Sequence, residues 1–289
     1  MSQKTDIRPS PIAGQWYPAN PVSLADSVDH YLDQARLPAL GGQVIGVIAP
    51  HAGHLYSGPV AGYAFAALRG MQPEVVVVVS PMHYPYSEPL LSTAHDAYRT
   101  PLGDIPVDQP SLSRLDQHLK ETRNIGLERV KRDPEHSLEI ELPFLQRALA
   151  GPFKLVPIMV VDPSVRTARL LGEAISRLVA ESGWVPGKQV ILVASTDLSH
   201  FYPQSVANAL DAELLRRVGD FDPAGVIRAE EEGKGFACGR GAVAAVMFAA
   251  QRMGADQIRV LHYATSGDVT GDYERVVGYG AAVITKREG

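Results

Sequence analysis

The chain has 289 residues, of which 20% are charged and 45% hydrophobic, with a formal net charge of -5, the balance of an ordinary globule long enough to bury a large core. No basic stripe or tail with interleaved aromatics marks a nucleic-acid partner, and the longest apolar runs, such as Val75 to Val79, are far too short to span a bilayer. Met1 to Asp6 carries no signal-peptide apolar segment and the lone Cys238 has no partner for an intramolecular disulfide, so a cytoplasmic, reducing location is expected.

Helix-like and strand-like segments alternate along the chain. After a loop-like stretch from Pro9 to Pro21, Leu24 to Leu37 has apolar residues spaced for one helix face, and Val44 to Ala49 reads as a central strand. Val60 to Leu68 is Ala-rich and helical, and Val75 to Val79 is the next strand. The stretch from Tyr84 to Pro110, rich in Pro, Ser, Thr and Asp, predicts a long loop with one or two short edge strands, a lid or wall for a site. Helices follow at Leu112 to Glu121 and Ser137 to Leu149, with Pro143 confined to the latter's first turns or kinking it. Lys154 to Val160 is a strand, Ser164 to Glu181 an amphipathic helix, and Gln189 to Ala194 another buried strand. Helices near Ser205 to Val218, Pro223 to Glu231 and Gly241 to Gln251 precede strands at Ile258 to Ala264 and Val276 to Thr285. No repeat, linker or low-complexity tract interrupts this pattern. It predicts a single α/β domain over residues 1–289, with a central, mostly parallel or mixed sheet and helices on both faces.

Four of the nine histidines stand in or beside short Gly-, Pro- or Ser-marked junctions: His51 and His54 in Ala49-Pro50-His51-Ala52-Gly53-His54, His83 after Ser80-Pro81-Met82, and His200 after Ser195-Thr196-Asp197-Leu198-Ser199. These junctions follow predicted strands, and ligands of open α/β sheets sit beyond the carboxyl ends of strands, so the imidazoles are expected to converge on one pocket. A structural turn at His51 asks for Gly53 and Gly58 but not for the imidazole. In the third junction His200 suits a general acid or base and Asp197 the orientation of a ring or a substrate amine, while Ser195, Thr196 or Asp197 equally suits a helix or turn cap. Cys238 precedes Gly239 and a predicted helix start, where dipole and Arg240 favour a thiolate; its plainer reading is a small buried hydrophobe. In Asp133-Pro134-Glu135-His136-Ser137-Leu138-Glu139, His136 and Glu139 stand three apart. Metal ligation by that pair is one reading, orientation of a ligand imidazole by Glu139 or Glu135 is the one preferred, and an ordinary capped, solvated helix start stands level with it. His30, His95 and His118 read most simply as surface residues, and His54 and His262 stay undecided.

Gly14-Gln15-Trp16-Tyr17-Pro18, Ala49-Pro50-His51-Ala52-Gly53 with Tyr56-Ser57-Gly58, Ser80-Pro81-Met82-His83, Glu135-His136-Ser137-Leu138-Glu139 with Leu142-Pro143, Ser195 to His200, and Cys238-Gly239 occur in the order and approximate spacing of the Memo-like proteins. The chain resembles this family, also called the AmmeMemoRadiSam system protein B group, over nearly its whole length. The resemblance implies a domain similar to the class III, non-haem iron-dependent extradiol dioxygenases. It also implies His51, His83 and Cys238 as metal ligands, with Cys238 in place of the dioxygenase glutamate, His200 as acid/base and Asp197 beside the site. AMMECR-type and radical-SAM proteins are the partners it suggests. A thiolate ligand favours copper(I), zinc or a more covalent iron site over a hard-oxygen one, which counts against ring cleavage.

Three classes of function are consistent with these residues. The first is a metal-dependent oxidoreductase with iron, then copper, as the ion. The second is a hydrolase or transferase using zinc-bound water or a Cys238 nucleophile with His200 as base. The third is a module that binds a peptide or small molecule without turnover. No feature names the substrate.

Overall fold

Five consecutive valines, Val75 to Val79, are stiff, β-branched and apolar on both sides, and such a run is stable only in a strand covered on both faces. In the computed structural model, which describes residues 5–123 and 125–287, each of the five is at most 2% exposed. The strands are β1 (Ile7–Arg8), β2 (Gln43–Ala49), β3 (Val75–Pro81), β4 (Leu90–Thr93), β5 (Ala97–Thr100), β6 (Gly103–Pro106), β7 (Glu128–Val130), β8 (Lys154–Val160), β9 (Val190–Ser195), β10 (His200–Tyr202), β11 (Gln257–Thr265) and β12 (Val276–Lys286). The helices are α1 (Pro21–Gln34), α2 (His54–Ala66), α3 (Gln109–Arg123), α4 (Leu142–Ala148), α5 (Val165–Glu181), α6 (Gln204–Gly219), α7 (Pro223–Glu231), α8 (Arg240–Arg252) and the single turn α9 (Gly267–Thr270). A 3-10 turn, Glu139–Glu141, runs into α4.

The main sheet has the order β10-β12-β2-β9-β3-β8-β4-β7, with β11 paired to β12. Its centre, β2-β9-β3-β8, is parallel, and β12 and β4 run antiparallel on either side, so the sheet is mixed. The step from β2 to β3 passes over β9, and the step from β8 to β9 returns over β3 in the opposite direction. Right-handed crossovers taken in opposite directions place their helices, α2 and α5, on opposite faces. On one face α2 packs on β2, β11 and β12 and against α1 and α4; on the other α8 packs on β3 and β9 and is covered by α5 and α7. The crevice beyond the carboxyl ends of β2, β9 and β3, where the direction of winding reverses, is where such sheets bind ligands. One continuous hydrophobic core unites both layers.

Local signals explain the helices. Asn20 Oδ1 accepts from the Val22 and Ser23 amides and starts α1, and Ser164 Oγ accepts from Thr167 N–H and starts α5. The Ala-rich α8 is buried nearly all round, as a helix between a sheet and a second helix layer must be. Gly172 of α5 lets α8 come close, since a Cβ there would lie 2.6 Å from the Phe248 Cβ. No helix among the described residues is long and apolar enough to cross a membrane.

Three expectations need correction. The segment from Tyr84 to Pro110 is more ordered than a long loop with one or two edge strands: β4 joins the main sheet through buried Leu90 and Leu91, and β5 with β6 forms a hairpin that takes up β1 as a third strand. Helix α2 begins at His54 rather than near Val60, because Gly58 and Gly62 are used for close packing on Tyr31 and not for a turn. His95 and His118 are buried, 8% and 3% exposed. Their polarity is met locally, His95 lying between Asp6 and the Lys131 carbonyl and His118 against Glu181.

Candidate metal centre

Three strands end at the same place. Pro50 follows β2 and brings His51 to the crevice, where its backbone N–H donates to Asp197 Oδ1 at 2.8 Å and its ring is 2% exposed. His83 lies two residues past β3, and Ser195 is the last residue of β9, register partner of Ala49. Cys238 arrives from the other direction, just before α8. Its sulfur is 3.1 Å from His51 Nε2 and accepts the Asp197 N–H at 3.2 Å. The next residue must be small: a Cβ on Gly239 would lie 2.2 Å from the Ser195 carbonyl oxygen.

The fourth wall is the segment Asp133 to Glu141. Glu135 Oε1 accepts from His83 Nδ1 and from the His136 and Ser137 amides, all at 2.9 Å, and Oε2 accepts the His83 amide at 2.6 Å. Of the two carboxylates considered for orienting an imidazole, Glu135 takes that position. Glu139 instead turns to Arg8, Ser10 and Tyr17. His136 stacks on His83 at 4.9 Å between centroids, meets His51 edge-on at 5.5 Å and lies 4.1 Å from the Trp16 ring. His51, His83 and His136 each offer one nitrogen such that all lie within 4.8 Å of one another, a group that can hold a metal ion. Cys238 touches this group through His51. In the sequence His136 stands only as half of a pair with Glu139; the available signal is the density of ligand-type side chains after Pro134.

Burial sets the charge states. His51 is pushed well below the ordinary histidine value by burial and by the neighbouring His136 and His83. Burial brings His136 down to about 4. For His83 burial also lowers the value, but the hydrogen bond and charge of Glu135 prevail and raise it. Asp197 is pushed up to about 7 by burial, against the opposing hydrogen bonds from the His51 and Ala52 amides. Burial, then the Asp197 carboxylate, pushes the Cys238 thiol far above its ordinary value. Without a cation the sulfur is therefore a neutral thiol, contrary to the activated thiolate expected of a helix start.

A family model described as "Memo-like protein" matches residues 8–283. The chain belongs to the Memo-like family. MEMO1 family proteins of Methanopyrus kandleri and Methanococcoides burtonii are each 36% identical to it, over 287 and 278 residues, covering 96% of this chain and 98% and 100% of theirs. A MEMO1 family protein of Nitrosopumilus maritimus is 33% identical over 281 residues, 95% of this chain and 98% of its own.

In this Memo-like protein His200 sits at the rim, on β10, close enough that its charge acts on His51. Its Nδ1–H donates to the Leu198 carbonyl at 2.7 Å, which fixes the tautomer and leaves Nε2 as the exchangeable position. Phenylalanines 201 and 236 present their rings to it at 5.7 and 5.6 Å. Phe201 has φ 64°, a left-handed conformation costly for an aromatic residue and held here by the β10–β12 pairing on either side. The structure thus gathers His51, His83, Asp197, His200 and Cys238 around one crevice and adds His136, Glu135 and Trp16.

Proposed function

We propose that this Memo-like protein is a cytoplasmic metal-dependent oxidoreductase, in which His51, His83 and Cys238 hold one iron or copper ion while His200 and Asp197 manage protons beside it. The observation that carries this reading is the tethering of the rings. His51 and His83 each have Nδ1 beside an oxygen, of Ser195 and Glu135 respectively, so each ring can keep its proton on Nδ1 and offer Nε2, and His51 Nε2 faces the Cys238 sulfur. Oxygen partners on the far nitrogen are the usual companions of metal-binding histidines. The His51 and His83 nitrogens, within 4.8 Å of one another in a group that His136 completes, suit an ion at about 2.1 Å from each, for which ligand atoms lie roughly 3.4 Å apart in a tetrahedral site. The high proton affinity of the buried thiol argues against a free cysteine nucleophile and makes a cation the natural stabiliser of its thiolate.

When bound, iron or copper supplies one-electron redox chemistry and a position for a small exogenous ligand. The chain's own contribution is to orient the two imidazoles, to exclude water from the buried side and to offer His200 Nε2 as a proton-exchanging atom at the rim. A second reading is favoured by His136, whose nitrogen, and not the Cys238 sulfur, completes the closest group of three. An all-imidazole set suits zinc, and with it the hydrolytic class.

Metal content after anaerobic preparation and exposure to equal iron, copper and zinc separates these readings. The expected result is one iron or copper ion per chain, lost in His51→Ala and in Cys238→Ser and kept in His136→Ala and His200→Ala. Zinc retained by Cys238→Ser and lost by His136→Ala would establish the second reading, and no uptake of any of the three ions would overturn both.

A further inference from the structure

Glu141 is a fully buried carboxyl. Its Oε1 is 2.6 Å from Ser195 Oγ, and its Oε2 has no partner among the described residues. The Ser195 hydroxyl also lies 2.7 Å from the Ser137 carbonyl oxygen and 2.9 Å from His51 Nδ1. A hydroxyl has one proton and two lone pairs. The Ser137 carbonyl can only accept, so a pattern that satisfies all three contacts is unique: Ser195 donates to Ser137, and both His51 Nδ1–H and Glu141 Oε1–H donate to Ser195. An ionised Glu141 would instead take the hydroxyl proton away from the carbonyl and leave a buried anion with one oxygen unpaired, an expensive state in an apolar interior. Burial first, and then the charge of Asp197, push the Glu141 carboxyl well above its ordinary value, in keeping with the neutral acid.

We propose that Ser195, its proton claimed by the Ser137 carbonyl, is a positioning residue that holds His51 in its Nδ1–H tautomer with the Nε2 lone pair turned toward Cys238, and that Glu141 stands behind it as a protonated carboxylic acid donating to the same hydroxyl. The tautomer follows from this chain of contacts and agrees with the neutral Cys238 thiol 3.1 Å from Nε2; its benefit to metal binding rests on the metal centre proposed above. Ser195 is anchored by the β2–β9 ladder and Glu141 by the turn that enters α4, so the device joins the strand-end side of the site to the Asp133–Glu141 side. The main-chain contact of His51, from its amide to Asp197, fixes the backbone and does not bear on the tautomer of the ring.

The test uses the full-length protein in its metal-free form, with nitrogen-15-labelled histidine, and reads the His51 tautomer by long-range proton–nitrogen NMR. In parallel, infrared spectra at neutral pH read the C=O band of a protonated carboxyl, and titration with Co(II) alone reads affinity. Wild type is expected to show Nδ1–H at His51 and a protonated-carboxyl band that disappears in Glu141→Gln. Glu141→Gln, whose amide can still donate to Ser195, keeps the tautomer and binds Co(II) nearly as well as wild type. Glu141→Leu, in which the Ser137 carbonyl still takes the Ser195 proton, also keeps the tautomer, whereas Ser195→Ala shifts His51 toward a mixture and weakens Co(II) by about 10- to 100-fold, the range for losing the partner of a metal-binding histidine. An unchanged tautomer in folded Ser195→Ala overturns the proposal, as does the absence of the carboxyl band in wild type, a reading that needs no variant to fold. A tautomer that shifts as expected in a protein that binds no Co(II) upholds the positioning role and removes the metal reading instead.

Discussion

His51 and Ser195 stand at the ends of hydrogen-bonded strands, so the β2–β9 ladder places them before any side chain acts. His136, across the crevice, belongs to a stretch from Asp133 to Ser137 that has no ladder and is placed by buried charge. Arg8 donates from Nε to Asp133 Oδ2 at 2.9 Å and from Nη2 to the Glu135 carbonyl at 2.7 Å, ion-pairs with Glu139 and lies over the Tyr98 ring. Glu135 then clamps His83 and the amides of His136 and Ser137. One half of the site therefore inherits its precision from the sheet. The other half exchanges backbone pairing for ion pairs, which tie it to β1 far away in sequence and make it the half that charge changes can undo.

The sharpest break is at Arg8. Arg8→Met strands the Asp133 and Glu139 carboxylates in a dry environment, and removal of one partner of such a buried pair costs roughly 3–5 kcal/mol. Urea denaturation should register this loss, and His136 amide protection should fall while the amides of β2 and β9 stay protected; equal loss in both halves would erase the distinction drawn above.

A smaller effect is expected at Glu135. In Glu135→Gln an amide NH2 meets the donors that the carboxylate accepted, for a loss of about 1.5–3 kcal/mol, the usual worth of hydrogen bonds to a charged group. Burial alone would raise the Glu135 value, but the His83 ring and the His83 and Ser137 amides hold it well below ordinary. A carboxyl with a depressed folded value stabilises the native state above its unfolded value, about 4.3, and loses that contribution as the pH falls below it. His83, raised in the fold, adds its charge below its own unfolded value near 6.5 and loses it as the pH rises through the higher folded one. In the metal-free protein the difference between wild type and Glu135→Gln should thus be greatest between these limits and shrink in acid. A difference that grows toward low pH would contradict the ion-pair account.

The least effect is expected at Arg99, which makes a two-pronged, solvent-exposed pair with Asp104 at 2.8 Å on the β5–β6 hairpin. Solvent screens such a pair, so Arg99→Ala should leave the urea midpoint within experimental scatter. A shift comparable with that of Arg8→Met would mean that geometry, and not burial, governs the arginines of this chain.

The same division explains what could be read in advance. β8 has the bounds predicted from its β-branched run, and β2, β3 and β9 fall within two residues of theirs, because a buried parallel strand writes its whole length in apolar side chains. The residues at their ends, His51, His83, Ser195 and Asp197, were legible for that reason. The Asp133–Glu141 side was not. Nothing in its spacing tells that Glu139 turns toward Arg8, that Glu135 turns toward His83, or that Glu141 reaches Ser195, since each pairing is made across more than fifty residues by a segment without periodicity. His95 and His118 misled for a related reason: a polar neighbourhood in sequence resembles exposure, yet a partner supplied from elsewhere lets a histidine be buried.

Gly239 carries a consequence for how this scaffold can diversify. Because its α-carbon lies against the Ser195 carbonyl with no room for a methyl, the place of the preceding side chain is set first by main chain meeting main chain, and the sulfur's hydrogen bond from the Asp197 amide adds to it. Position 238 is in this sense a socket. A carboxylate or hydroxyl could be mounted there in the same attitude with little change to the fold, altering the hardness of the donor and so the ion and chemistry selected. Substitution at 239, in contrast, would move the socket itself.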